Sequence, residues 1–347
     1  MTVHYAREAA RQWVIEHGSS TPGFRGAYTA GSTNWLPDDA ALAATSDFDV
    51  MVVVENPSSA GHRRKFISRD VLLEVSYLGF DQFQSPDRVL SNYHLAPSLR
   101  TAQILLDPSG HLAALSAAVR SGYAQRSWVR KRCAHAQNNV LARLRPLSED
   151  SPLHDQVIAW LFAAGITTHV LLVAGLRNPT VRTRYTAVRE LLADYGHLEF
   201  YETLLELLGC AQITPGRVEQ HLAALASLFD AATEVIKTPF PFASDISPLA
   251  RPVAIEGSRN MIEDGYHREA MFWIAVTHSR CHQVLHRDAP AASQQTYSQS
   301  YRDLLEDLGV SSFAAVRARC QEVDRFLPQV WEMAEAIMGS NPAIEND

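Results

Sequence analysis

Cysteine is scarce and scattered in this chain of 347 residues: Cys133, Cys210, Cys281 and Cys320 lie far apart, with no Cys-x-x-Cys pair. That spacing excludes a disulfide framework and a zinc ribbon, and it points to a reducing compartment. Excess positive charge is missing too, since 31 Lys and Arg face 38 Asp and Glu for a formal net charge of −7. Broad nucleic-acid binding draws its affinity from clustered cations that neutralise phosphates, so no nucleic-acid partner is expected. Three chemistry-bearing signatures are absent: Gly-x-x-x-x-Gly-Lys, Gly-x-Gly-x-x-Gly after a strand, and Gly-x-Ser-x-Gly. Their absence removes P-loop enzymes, dinucleotide-binding folds and hydrolases with a nucleophile elbow. The first residues show no basic start followed by an apolar core, so no secretory signal is expected and the expected location is cytoplasmic.

Long uncharged runs are also rare, with one exception at residues 157–176, which hold no formal charge over a length close to that of a membrane span. Gly165, Thr167, Thr168 and His169 interrupt its middle. The run therefore reads as a helix apolar on all sides at the centre of a large helical domain, with no membrane partner. Length, 46% hydrophobic residues and 20% charged residues fit a globular protein of two domains.

Hydrophobic periodicity predicts an α+β fold: an N-terminal mixed-sheet domain over residues 1–112, then an all-helical domain over residues 113–347. Strands are expected near 25–31, 48–54, 71–78 and 102–106, with a helix at 3–17 and another in the 80s and 90s. Helices follow near 127–145, 152–174, 183–194, 198–208, 215–237, 265–288 and 311–338. Pro146, Pro179, Gly196, Pro215 and Pro252 mark turns. Residues 238–257, with four prolines, read as a surface linker, and the Ser/Gln-rich residues 293–300 as a turn.

The chemistry concentrates in residues 31–49. Gly31-Ser32 leaves a β-prone segment, and Asp47-Phe48-Asp49 opens the apolar run Val50-Met51-Val52-Val53-Val54. Side chains two apart on a strand share a face, so Asp47 and Asp49 present two carboxylates together while Phe48 and Val50 pack behind them. Glu74 is the single charge inside a second β-rich run, residues 71–78. If that strand lies beside the first, Glu74 completes a three-carboxylate cluster of the kind that suits Mg2+, a hard cation that prefers oxygen and shares its shell with phosphates.

Gly31-Ser32, Ser46-Asp47-Phe48-Asp49 and Leu73-Glu74-Val75, in that order, resemble the nucleotidyltransferase superfamily with the DNA polymerase beta-like fold, and most of all the aminoglycoside nucleotidyltransferases. The spacer of fourteen residues between Ser32 and Asp47 is longer than the commonest form and predicts an extended turn. The resemblance implies transfer of a nucleoside monophosphate from an NTP, ATP being favoured, to an acceptor oxygen. Asp47, Asp49 and Glu74 would be catalytic and hold Mg2+, with Glu74 as second-ion ligand or general base. Gly31 and Ser32 would grip the terminal phosphates. The resemblance also implies that the first helix after the mixed domain closes the nucleotide cleft, which makes Arg130 and Lys131, in a run with Arg126 and Arg132, candidate triphosphate contacts against the plain reading of a solvated basic face.

The acceptor implied is a small-molecule hydroxyl, with antibiotic resistance as the matching role. The alternatives are a partner protein modified by an antitoxin-type or protein-modifying enzyme, and an inactive nucleotide-binding relative. His278, His282 and His286 share a helical face at spacings of four. They lack the intervening Glu of zinc hydrolases, so a metal role is set aside.

Overall fold

The computed structural model describes every residue except Ala44, Gly61, His62, Pro146 and Leu147, and the backbone alone at Ser59 and Ala60. The turn expected at Pro146 lies outside the described residues. The protein is α+β, with an N-terminal five-stranded mixed sheet followed by a largely helical C-terminal part. Two compact units divide the chain. One holds Met1–Arg132, Phe240–Asp245 and Ile344–Asp347, and the other holds Cys133–Pro239 and Ile246–Ala343.

In the first unit, helix α1 (Val3–Glu16) precedes strands β1 (Phe24–Ala30), β2 (Phe48–Val54), β3 (Arg64–Ser68), β4 (Val71–Gly79) and β5 (Ile104–Leu106). Their order across the sheet is β3-β4-β2-β1-β5. Only β2 and β4 pair in parallel; β1 runs antiparallel to both β2 and β5, and β3 antiparallel to β4. The period-two pattern sorts the central strands by face. Phe48, Val50, Val52, Leu73 and Val75 turn to one side and bury against Val3, Ala6, Ala10, Trp13 and Val14 of α1. Removing that apolar surface from water anchors the helix to the sheet. The charged positions of β2 and β4 are therefore left on the face that α1 does not cover.

The long spacer after Ser32 has a structural use. It begins as a 3-10 turn, Ser32–Trp35, and then runs past the start of α1. Val3 and His4 donate their backbone N–H groups to the carbonyls of Ala40 and Asp38, at 3.0 and 2.9 Å, and Leu42 donates to Met1. A helix start leaves its first N–H groups without intrahelical partners, and the spacer supplies two of them. Arg7 adds an ion pair to Asp38 at 2.9 Å.

Strand β3 is absent from the sequence reading. Arg64-Lys65-Phe66-Ile67-Ser68 has too few apolar side chains to alternate visibly, which is what an edge strand tolerates. Its register is fixed by a two-residue hairpin, with Arg69 and Asp70 both at positive φ (49° and 62°) and Ser68 opposite Val71. Positive φ at both central residues is the type I′ geometry that matches the twist of a hairpin. From that turn the pairing counts back to set Lys65 opposite Glu74.

The second unit is built from helices. The helix Leu153–Ala174 contains most of the uncharged run and is buried nearly all round, packing against Phe313–Ser340, His267–Asp288 and Arg184–Asp194. The expectation of a core helix therefore holds in this structure. The residues read as a Ser/Gln-rich turn are instead part of a helix, Ala291–Asp307, which starts after Pro290 and buries Tyr301, Leu304 and Leu305. Those three apolar residues follow the polar stretch and anchor one face of the helix, so tertiary packing overrides the local composition. The proline-rich connection also differs from a plain linker. It carries short 3-10 and π-helical turns at Ala243–Asp245 and Pro252–Glu256, and Phe240–Asp245 belongs to the first unit.

Candidate metal centre

Parallel pairing of β2 with β4 puts Asp49 directly beside Glu74. Because both strands present the same face at that register, the two carboxylates emerge on one side, and Asp47 joins them two residues earlier. Each of Asp47, Asp49 and Glu74 offers an oxygen within 4.8 Å of the others. Among the described residues this is the one group of His, Cys, Asp and Glu whose ligand atoms converge in this way. Three carboxylates with half-buried Asp47 and Asp49 and buried Glu74 form a hard-oxygen donor set that fits a divalent cation of the Mg2+ class.

Gly31 closes the site from the side. It has φ 76° and ψ −170°, in a region open almost only to glycine, and Ala30 before it pairs with Asp49. A Cβ built on Gly31 collides with Oδ2 of Asp49. Backbone conformation and carboxylate packing thus both demand glycine here. Gly31→Ala is expected to cost about 1–3 kcal/mol from the backbone alone, and to displace Asp49. Chemical denaturation of the variant checks this, and a midpoint equal to wild type would refute it. Ser32 is exposed, while Asn34 holds the turn by donating to the carbonyl of Thr29 at 2.8 Å and accepting from its hydroxyl at 2.6 Å.

The electrostatics are those of crowded acids with resident cations. Burial pushes the Asp49 carboxyl well above its ordinary value, and the neighbouring Glu74 and Asp47 charges push further in the same direction. Burial opposes ionisation of Asp47 as well, but the Lys65 ammonium, hydrogen bonding with Glu74 and Lys65, and the Arg63 charge together outweigh it and hold that carboxyl below its usual range. For Glu74 burial wins over the opposing pull of Arg63 and Lys65, leaving the carboxyl raised. Lys65 itself is held charged: burial disfavours the ammonium, and Asp47, Glu74 and Asp245 together overcome it.

No known protein family and no curated protein matches this chain. The residues themselves must then carry the functional argument, and here the structure adds three that the sequence reading did not pick out. Arg63 reaches Glu74 Oε1 at 2.5 Å and Asp245 Oδ1 at 3.1 Å. Lys65 contacts Asp47 Oδ2, Glu74 Oε2 at 2.5 Å and Asp245 Oδ1 at 3.4 Å. Asp245 arrives from the Phe240–Asp245 segment of the same unit. One signal was available in the sequence: Arg63-Arg64-Lys65 lies a tight turn before the lone strand charge Glu74.

The basic run at the start of the helix Arg126–Leu144 splits by face. Arg130 and Lys131 are exposed, with the Lys131 ammonium 3.9 Å from the centre of the Trp128 ring. Arg132 is wholly buried and donates to the carbonyls of Tyr123 at 2.6 Å and Leu90 at 3.2 Å, which makes it a structural strut. The histidines at 278, 282 and 286 do not share one centre. His278 and His282 stack with Tyr301, at centroid distances of 5.3 and 4.2 Å, and His286 meets His154 at 5.3 Å.

Proposed function

We propose that this protein is a divalent-metal-dependent nucleotidyltransferase, moving a nucleoside monophosphate from an NTP to a hydroxyl of a small molecule, with an aminoglycoside-like compound as the model acceptor. The observation that supports this reading is the convergence of Asp47, Asp49 and Glu74 beside the obligatory glycine at position 31. That combination is also the basis of the likeness to the DNA polymerase beta-like superfamily.

In the reaction the acceptor oxygen attacks the α-phosphorus, a new O–P bond forms, the bond to the bridging oxygen of the β-phosphate breaks, and pyrophosphate leaves. The hydroxyl proton passes to a base or to water. Mg2+ held by Asp47 and Asp49 would supply charge neutralisation of the triphosphate and would favour loss of the hydroxyl proton. The chain's own contribution is positional. Asp47 and Asp49 fix the place of positive charge, and Gly31 lets the backbone approach the phosphates where a side chain would block it.

The test is incubation with α-labelled ATP, GTP, CTP and UTP, Mg2+ and a panel of aminocyclitol and other hydroxylated acceptors, with EDTA as control. Label moves to an acceptor with Mg2+, and transfer falls to background in EDTA. Transfer that is indifferent to EDTA would sink the reading. Label on a co-purifying protein instead would redirect it to a protein acceptor.

A further inference from the structure

The acid cluster already holds a cation. Lys65 comes from β3, opposite Glu74 in a register that the two-residue hairpin leaves no freedom to slip. Its side chain is 4% exposed, and its ammonium lies among Asp47, Glu74 and Asp245. Arg63 takes the other oxygen of Glu74. Both carboxylate oxygens of Glu74 and one of Asp47 are therefore committed to side-chain cations. Among the described residues Asp49 makes no ion pair, so its two oxygens and Oδ1 of Asp47 are the ones left for a ligand.

Charge counting agrees. Among the described residues of this cluster, Asp47, Asp49, Glu74 and Asp245 are four acids, and Arg63 and Lys65 are two bases. With an ion bound and all four acids ionised, these described groups would carry two negative charges, which that one divalent ion would neutralise. A second divalent ion on the same carboxylates would have to displace a buried ammonium from its acidic partners. Separating a buried pair leaves uncompensated charge, which is strongly unfavourable.

Resting on the metal reading given above, we infer that Lys65 stands where a two-ion centre places its second divalent cation, so that this centre binds one ion per chain, on Asp49 and Asp47. Glu74 then serves as the counter-ion that positions Lys65, and its oxygens, ion-paired with Lys65 and Arg63, are withdrawn from both second-ion ligation and proton abstraction. Lys65 is a positioning residue with a permanent charge in place of an exchangeable one.

The experiment counts ions. Full-length protein is stripped with EDTA, dialysed and titrated with Mn2+ alone, and free Mn2+ is read by its paramagnetic resonance signal. Wild type is expected to bind one Mn2+ per chain and Lys65→Arg likewise. Lys65→Gln is expected to bind two, or to bind the one at least tenfold more tightly. Two ions on wild type overturn the inference even if Lys65→Gln fails to fold. One ion of unchanged affinity on a folded Lys65→Gln overturns it as well. Asp49→Asn separates the two levels of argument: undiminished Mn2+ binding in that variant, or none in wild type, removes the metal reading itself and the Lys65 inference with it.

Discussion

Asp49→Asn is expected to abolish nucleotide transfer while leaving the fold as stable as wild type or more so. The two effects have separate causes. Asp49 is the carboxylate of the cluster without a described ion pair, so the substitution removes the oxygens and the charge most open to a divalent ion. Loss of one preorganised electrostatic group in an active site typically costs on the order of 10²–10³ in turnover. Stability moves the other way, because burial and the adjacent Glu74 and Asp47 raise the Asp49 carboxyl well above its ordinary value. At neutral pH an exposed aspartate in the unfolded chain ionises freely, whereas the native site resists the charge, so ionisation favours unfolding. Asparagine has nearly the same shape and carries no charge to resist. Turnover with labelled triphosphate and a thermal melt of the metal-free protein check both halves. Wild-type transfer, or a melting temperature lowered by many degrees, would refute the assignment.

Acidification from about pH 6.5 downward is expected to weaken the protein through its buried histidines. Burial pushes His154 and His282 down to about 4. His278 is held well below its ordinary value, by burial first and then by His282 and His221. The groups facing them include Asp155, which lies 3.8 Å from His154 and favours its charged form, and Arg287, which opposes it. Because the folded values are depressed, the unfolded chain binds more protons than the native one between pH 6.5 and 4. Stability contributed by these neutral rings is complete above 6.5 and is lost as pH falls toward 4. A gap of that size on one imidazole corresponds to roughly 3 kcal/mol when fully expressed, and because His154 and His282 repel each other the two contributions do not simply add. Urea midpoints followed by far-UV circular dichroism should fall steadily from pH 6.5 to 5, and less steeply in His282→Leu. A wild-type profile no steeper than that of His282→Leu would refute the assignment.

The sequence and the structure agree where the signal is local. Asp47, Asp49 and Glu74 were legible because a strand's alternation is strict, so two acids two apart must share a face and a lone acid in an apolar run must be accommodated by something. The face on which Glu74 emerges could have contradicted that reading and did not. The missing parts all depend on contacts between distant residues. Lys65 sits on an edge strand whose charged composition hides it, although its partner across the hairpin was already under suspicion. Asp245 occupies a proline-rich connection whose path nothing local dictates. Arg132 belongs to a basic run that reads as solvated, yet it turns inward to bond two carbonyls. The helix Ala291–Asp307 was hidden by turn-favouring serines in a polar stretch with no apolar periodicity, while its anchor lies in Tyr301, Leu304 and Leu305.

The first unit is interleaved with the rest of the polypeptide, and this limits how it can be dissected. Asp245, which braces Arg63 and Lys65, enters with a six-residue excursion. The final residues return to the same unit, where Glu345 accepts from the Arg126 N–H and Asp347 accepts from Ser127 at the start of the next helix. A protein cut after residue 132 would lose a brace of its buried cations together with this C-terminal clasp. The carboxylate cluster, though drawn entirely from residues 47–74, is therefore a property of the unbroken chain, and neither truncation nor exchange of its first third should be expected to transplant it.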